Sequence, residues 1–201
     1  MDAASNVLSR IADALAQRGC AIERDFLPAP AIDALRLRAR LLDAEGLLTP
    51  AAVGRGAARV VAPATRGDRI GWLDDAAHVA AERPLRDALE ALRLAVNRTL
   101  VLGLLDVEAH YAIYPAGTGY ARHRDRFRDD DARVVSFVLY LNGGWGIGDG
   151  GALRLHLGSG ALDIAPDGGT LVTFLSDRVE HEVLPATRER MSVAGWYRRR
   201  A

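Results

Sequence analysis

The sequence predicts an α+β protein in which helices support a jelly roll, also called a double-stranded β-helix. Apolar residues recur at helical spacing in the first half of the chain. From Val107 onward, short segments of period-two alternation follow one another between turns. Helices followed by many short antiparallel strands indicate α+β architecture, and about eight strands suit two packed sheets with a ligand between them.

The chain of 201 residues fits one domain, with 1–106 as helical support and substrate loop and 107–201 as the jelly-roll core. Basic and acidic residues number 26 each, so the net charge is zero and neither nucleic acid nor a membrane surface is an expected partner. No apolar run reaches about 18 residues, and the N-terminus does not resemble a signal peptide. Cys20 is the single cysteine, which favours a reducing cytoplasm.

Three helices and nine strands are predicted. The first helix runs through Val7, Ile11 and Leu15 to a C-cap at Gly19, the second follows Pro28 and Pro30 and ends near Gly46, and the third runs from about Pro84 to Leu102. A short strand is expected at 20–26. The remaining strands are expected at 107–114, 120–125, 133–141, 152–157, 161–164, 170–175, 179–184 and 190–198.

The segment 51–72 has no clean period and predicts a long loop or loose hairpin. Loops of this length in compact domains are often lids or binding loops, so residues 54–72 are interpreted as a mobile lid that a substrate orders, with a fixed surface hairpin as the alternative. Trp72 is expected to anchor the end of this lid in the core. Asp68 and Arg133 are most simply interpreted as surface charges.

His123, Asp125 and the more distant His181 form a candidate metal site. His123 and Asp125 stand at i and i+2, so both side chains point the same way if they lie on a strand. Two histidines and one carboxylate bind the metal of non-haem Fe(II) oxygenases and leave about three positions open for a bidentate cosubstrate and dioxygen. The same ligands also suit Zn²⁺.

Arg190 follows His181 by nine residues and suggests what the cosubstrate is. The intervening segment predicts a hairpin that turns between Pro185 and Ala186 and brings His181 and Arg190 side by side. A guanidinium there can bind a carboxylate with two hydrogen bonds. An iron chelator whose far end is a carboxylate fits 2-oxoglutarate.

Six stretches of the chain form a recognisable set: RGDRIGW at 66–72, YPAGTGYARHRD at 114–125, VLYLN at 138–142, GGALR at 150–154, SDRVEHEV at 176–183 and RMSVAGW at 190–196. Together they resemble the Fe(II)/2-oxoglutarate dioxygenases, and within them the prolyl-hydroxylase branch of the oxygen-sensing enzymes and their bacterial relatives. The chain departs from the animal pattern in two ways: its Tyr-Pro-x-Gly segment is one residue shorter, and no helix follows 190–198.

The resemblance implies a role for each matching residue. His123, Asp125 and His181 would bind iron, and Arg190 would hold the distal carboxylate of 2-oxoglutarate. Other matching residues would line the two binding regions. For the cosubstrate pocket these are Tyr114, Tyr140 (a candidate hydroxyl donor to the carboxylate) and Trp196, and for the substrate loop they are Arg66, Asp68, Arg69 and Trp72. Asp68 is also a candidate to pair with Arg133 across that loop.

The implied reaction is hydroxylation of a prolyl residue in a protein, coupled to conversion of 2-oxoglutarate to succinate and CO2. Fe(II), 2-oxoglutarate and O2 would be required, with ascorbate as a candidate reductant. One alternative is a 2-oxoglutarate oxygenase that acts on a free amino acid or small metabolite. Another is a non-oxygenase metal protein, such as a cupin-like binding module or a Zn hydrolase, although the chain has no His-Glu-x-x-His segment. The nucleic-acid-repair branch is disfavoured because Trp196 stands where that branch has a second arginine.

Overall fold

The computed structural model describes residues 3–54, 60–73, 79–126 and 132–200. The three predicted helices are present as α1 (Ala3–Arg18), α2 (Ala29–Ala44) and α3 (Arg83–Leu100). Gly19 ends α1 with a φ of +73°, a left-handed conformation that glycine adopts without strain. None of the helices in the described part of the chain is long and apolar enough to cross a membrane.

The described residues form thirteen strands, and those of the second half begin and end within about two residues of their predicted positions. Short strands from the first half add to them. The strands are β1 (Cys20–Glu23), β2 (Thr49–Pro50), β3 (Ala52–Val53), β4 (Val60–Val61), β5 (Arg69–Trp72), β6 (Asp106–Tyr114), β7 (Tyr120–His123), β8 (Arg133–Tyr140), β9 (Leu153–Leu157), β10 (Gly160–Ile164), β11 (Leu171–Leu175), β12 (Glu180–Val183) and β13 (Arg190–Arg198).

Two antiparallel sheets build the predicted jelly roll. The major sheet has the order β1-β11-β8-β13-β6-β5-β2, and the minor sheet has the order β10-β9-β12-β7. The last eight strands divide evenly between the sheets, with β6, β8, β11 and β13 in one and β7, β9, β10 and β12 in the other. The predicted α+β architecture with a jelly-roll core is confirmed, and its two sheets enclose a space.

The major sheet separates the hydrophobic core from that space. On β13, Val193 and Tyr197 pack toward the helices, whereas Arg190, Ser192 and Trp196 face the space between the sheets. This alternation follows from the two-residue period of a strand. The Tyr197 hydroxyl donates to the backbone oxygen of Leu89 in α3 at 2.8 Å and ties the helix layer to the central strand.

The predicted hairpin between β12 and β13 is wrong. β12 pairs with β7 and β9, whereas β13 pairs with β6 and β8 in the other sheet. Residues 184–189 instead cross from the minor to the major sheet, and Pro185 and Ala186 accept backbone hydrogen bonds from Gly151 and Gly117 on the way. His181 and Arg190 therefore lie on opposite sheets, and both line the space between them.

The segment 54–72 is more ordered than the sequence suggests, although its residues 55–59 lie outside the described part. Gly67 N–H donates to the backbone oxygen of Gly119, and Ala121 N–H donates to that of Thr65. β5 continues from there into the major sheet beside β6. These bonds tie residues 65–72 to both sheets, so the predicted lid does not extend over this part of the segment.

Trp72 and His110 form an aromatic group on β5 and β6. The expectation that Trp72 is anchored in the core is wrong, because half of the side chain is exposed. His110 is buried, with ring centroids 5.0 Å from Trp72 and 5.4 Å from Trp196. Burial, with a contribution from the positive charge of Arg66, lowers the pKa of His110 to about 3.

Leu89→Ala should lower the free energy of unfolding by about 2–5 kcal/mol, because the removed methyl groups leave a cavity between α3 and the major sheet. Leu89 is 1% exposed, whereas Leu94 on the same helix is 43% exposed. Leu94→Ala is the matched control and should change stability by about 0.5 kcal/mol or less. Equal denaturant midpoints for the two variants would contradict this assignment of the core.

His110 should make the protein less stable in acid. Its pKa is about 3 in the folded state and near 6.5 when exposed, so between these values only the unfolded state binds the proton. The contribution of neutral His110 to the free energy of unfolding is therefore fully present above about pH 6.5 and is lost as the pH falls toward 3. Between pH 7 and pH 5 the free energy of unfolding, measured with urea, should fall by about 2 kcal/mol more in the wild type than in His110→Phe. Parallel pH profiles for the two proteins would refute this.

Candidate active site

His123, Asp125 and His181 come together at one end of the enclosed space. Strand pairing places His123 on β7 directly opposite His181 on β12. Asp125 lies in the bend that follows β7, so the strand predicted to carry both His123 and Asp125 is shorter than expected. One ligand atom from each of the three residues lies within 4.8 Å of the other two. This cluster could hold a divalent metal ion.

Hydrogen bonds to the backbone orient both imidazoles toward Asp125. His123 Nδ1 lies 2.8 Å from the backbone oxygen of Ala121, and His181 Nδ1 lies 3.4 Å from that of Val179. A carbonyl oxygen can only accept, so Nδ1 carries the proton and Nε2 keeps its lone pair. The Nε2 atoms of His123 and His181 lie 3.5 Å and 3.6 Å from the two oxygens of Asp125. The hydrogen bond from Nδ1 to a backbone oxygen is the second contact that metal-binding histidines usually make.

The protonation states of Asp125 and His181 suit metal binding. Burial tends to raise the pKa of Asp125, but the two histidines and a 2.7 Å hydrogen bond from Ser136 Oγ hold it well below its usual range. Burial lowers the pKa of His181 to about 4, although Asp125 opposes this. Near neutral pH the carboxylate is therefore ionised and His181 is neutral, the forms in which each binds a metal.

Arg190 contributes a buried positive charge to the same space. Arg190 is 2% exposed, and its Nε donates to the backbone oxygen of Gly151 at 3.0 Å. Nη2 is buried and has no hydrogen-bond partner. Among the described residues, no carboxylate lies within 4.0 Å of this guanidinium. A buried cation without a counter-charge is costly, so the site is suited to an anionic ligand.

Tyr114 and Tyr140, the two tyrosines predicted to line a cosubstrate pocket, flank the Arg190 guanidinium. Its central carbon lies 5.3 Å from the Tyr114 ring centre and 5.1 Å from that of Tyr140. The Tyr140 hydroxyl is buried without a partner, and burial raises its pKa to about 12. Tyr140 therefore keeps its proton and, like Arg190 Nη2, is a donor without an acceptor. A carboxylate would satisfy both donors, which fits a 2-oxo dicarboxylic acid.

An open cavity of about 560 Å³ adjoins the metal-ligand cluster and is lined by residues that include His123 and Asp125. Trp196 forms part of its wall and is 7% exposed. The Arg133 guanidinium lies 3.5 Å from the centre of the Trp196 ring, a cation–π contact. Trp72 also lines the cavity, so aromatic surface surrounds the space next to the cluster.

The substrate-loop residues do not all face this cavity. Asp68 is buried and pairs with Arg66 through two hydrogen bonds of 2.8 Å and 3.0 Å, so its interpretation as a surface charge is wrong. Arg133 bonds to Glu108 instead of Asp68. Arg69 pairs with Asp43 on α2 and is absent from the cavity lining, so a substrate-facing position for Arg69 is also wrong. The two-residue period of β5 turns Arg69 to the opposite face from Ile70.

Arg66 links this segment to the metal-ligand cluster. Its guanidinium lies 4.9 Å from the centre of the Tyr120 ring, and that ring stacks on His123 with centroids 3.7 Å apart. Sequence reasoning did not identify Tyr120 or Ser136. Ser136 could have been found, because it precedes Tyr140 by an even number on β8 and so shares its face. The position of Tyr120 depends on the pairing of β7 with residues 65–67.

Comparison with known proteins agrees with this geometry. The sequence profile of the 2OG-Fe(II) oxygenase superfamily matches residues 109–198, which include most of the last eight strands. A solved Pseudomonas putida prolyl-4-hydroxylase is 48% identical, with a TM-score of 0.88, and the match covers 96% of this chain and 100% of that one. A prolyl hydroxylase from Trichoplax adhaerens, solved with a hypoxia inducible factor peptide fragment, is 27% identical with a TM-score of 0.88, covering 97% and 90%.

Two curated relatives are also named prolyl hydroxylases. The Mus musculus prolyl hydroxylase EGLN3 is 29% identical over 211 residues, which is 98% of this chain and 85% of that protein. The Caenorhabditis elegans hypoxia-inducible factor prolyl hydroxylase is 40% identical over 94 residues, and this match spans 44% of the chain and only 13% of the nematode protein. The chain belongs to the Fe(II)/2-oxoglutarate dioxygenases, in their prolyl-hydroxylase branch.

Proposed function

We propose that this protein hydroxylates a prolyl residue in a protein or peptide and converts 2-oxoglutarate to succinate and CO2. The main structural support is the arrangement of a His-Asp-His cluster and a buried arginine with an unpaired donor around one enclosed space. The Pseudomonas putida relative, a prolyl-4-hydroxylase that matches over its whole length, supports the choice of substrate.

In this proposal His123, Asp125 and His181 bind Fe(II). Their Nε2 atoms and carboxylate oxygens already point toward one another, so little side-chain movement is needed for binding. Bound iron, 2-oxoglutarate and O2 supply the oxidant that inserts oxygen into a substrate C–H bond. Ser136 keeps Asp125 ionised and oriented through its hydroxyl hydrogen bond.

Arg190 and Tyr140 would bind the distal carboxylate of 2-oxoglutarate. Both have buried donors without acceptors, and both lie away from solvent, where a charge-assisted hydrogen bond is strong. Tyr114 and Trp196 would exclude water from the same space, because both are buried and line it. Water exclusion protects reactive species from side reactions.

The open cavity would receive the substrate. It adjoins His123 and Asp125 and has aromatic surface from Trp72 and Trp196, on which an apolar pyrrolidine ring can pack. The solved relative with a bound peptide supports a peptide as occupant. Arg66 also lines the cavity, whereas Arg69 points away from it.

A cytoplasmic location is also part of the proposal, since the thiol of Cys20 is free and buried.

The substrate class can be tested by mass spectrometry. The Fe(II) protein should add about 16 Da, the mass of one oxygen atom, to proline-containing peptides in a cell extract, and only when 2-oxoglutarate is present. His123→Ala, Asp125→Ala and His181→Ala should each abolish this because an incomplete ligand set holds iron poorly. Free L-proline should remain unmodified. Hydroxylation of free proline without modified peptides would instead favour a small-metabolite oxygenase.

Arg190→Ala should raise the KM for 2-oxoglutarate far more than it changes iron affinity. Loss of a buried charge-assisted contact should cost roughly 2–4 kcal/mol, which corresponds to about a 30- to 700-fold effect. Arg190→Lys should recover only part of this, because an ammonium group cannot reproduce the planar fork. If the Ala variant bound 2-oxoglutarate as tightly as the wild type, the role of Arg190 would be wrong.

A further inference from the structure

The loop between β8 and β9 is closely connected to Arg190. The backbone oxygen of Gly151, at the end of this loop, accepts the hydrogen bond from Arg190 Nε at 3.0 Å. This bond fixes one edge of the guanidinium and leaves Nη2 without a partner. The direction of the unpaired donor therefore depends on where the Gly151 carbonyl is held.

The backbone around Gly151 fits its surroundings without space for a side chain. Gly150 and Gly151 have φ values of +67° and +70°, which only glycine adopts readily. A Cβ on Gly151 would lie 2.8 Å from the Cβ of Ala186 and 3.1 Å from the Trp145 ring. Gly151 N–H also donates to the backbone oxygen of Pro185 at 2.9 Å. The loop is thus tied to the crossover that leads into β13.

Trp145 and Arg188 hold this loop from its outer side. Trp145 Nε1 donates to the backbone oxygen of Gly150 at 2.9 Å, one peptide before the carbonyl that binds Arg190. The Arg188 guanidinium lies 5.0 Å from the Trp145 ring centre. It also donates to the backbone oxygen of Gly144 at 3.1 Å and to Asp149 at 3.3 Å. Five residues form this group, which we call the β8–β9 clamp: Trp145, Asp149, Gly150, Gly151 and Arg188.

We propose that Trp145 and Arg188 are positioning residues for cosubstrate binding, which act by fixing the Gly151 carbonyl and so the orientation of Arg190. The inference rests on the proposed function, in which Arg190 binds the distal carboxylate of 2-oxoglutarate. Arginine has several rotatable bonds, and a displacement of about 1 Å in a binding group can cost roughly 100-fold. Neither Trp145 nor Arg188 would contact the cosubstrate itself.

The clamp makes a selective prediction for Trp145→Ala and Arg188→Ala. The dissociation constant of 2-oxoglutarate should rise about 10- to 100-fold in Mn(II)-substituted protein, as for other supporting contacts to a binding group. The affinity for oxalate, which chelates the metal but has no distal carboxylate, should stay the same. Affinity for Mn(II) should also be unchanged. Titration calorimetry measures all three without turnover.

Two further variants separate positioning from general stability. Trp145→Phe keeps a ring beside Gly151 and Arg188 but loses the Nε1 donor, so its effect should fall between the wild type and Trp145→Ala. Arg154→Ala removes the same charge from β9, where Arg154 bonds to Asp163 away from the cosubstrate pocket. It should leave 2-oxoglutarate affinity unchanged. Thermal unfolding of each variant shows whether it is folded at the titration temperature.

The possible outcomes distinguish the clamp from the proposed function. Unchanged 2-oxoglutarate affinity in Trp145→Ala and Arg188→Ala, or an equal loss of oxalate and 2-oxoglutarate affinity, would overturn the clamp. A lower melting temperature with an unchanged ratio of the two affinities would also overturn it, since the role would then be structural. If Arg190→Ala binds 2-oxoglutarate normally, it is the proposed function that fails. Loss in Arg190→Ala without loss in the clamp variants contradicts only the clamp.

Discussion

The buried charge of Arg190 is the constraint around which the site is organised. A guanidinium removed from water has a high free energy unless an anion or several acceptors compensate it. Here one backbone carbonyl and two tyrosine rings compensate it in part, and one nitrogen is left without an acceptor. The fold therefore tolerates an unfavourable interaction that a carboxylate would relieve. Such local cost at a binding site is common in proteins and is offset elsewhere in the structure.

The helix layer and the major sheet supply the compensating stability. Apolar side chains from the three helices pack on one face of the major sheet, and the buried residues there form the largest hydrophobic cluster of the described chain. The opposite face of the same strands carries Arg190, Tyr114 and Trp196. Because a strand alternates its side chains, the sheet can serve a dry core and a polar site at once. Rigid strands also position binding groups more accurately than loops do.

The minor sheet contributes the metal-ligand cluster through strand register. His123 and His181 are direct cross-strand neighbours, so the geometry of a β-ladder sets the distance between them. Supporting contacts come from both sheets, with Ser136 on the major sheet bonding to Asp125 and Tyr120 on β7 itself stacking on His123. The site thus requires the two sheets to keep a fixed separation. The crossovers between the sheets, including 184–189, help to maintain it.

The amino-acid sequence by itself determined the helices, the strands of the second half of the chain, the inward face of β13 and the residues of the metal-ligand cluster. These depend on local periodicity and on short motifs, which are properties of neighbouring residues in the chain. Only the tertiary structure decided which strands pair, and this is why His181 lies beside His123 and not beside Arg190. The same holds for the Asp68–Arg66 and Arg69–Asp43 ion pairs and for the Trp145 contact with Gly150. Partner choice depends on packing between segments distant in sequence, and local pattern carries no information about that packing.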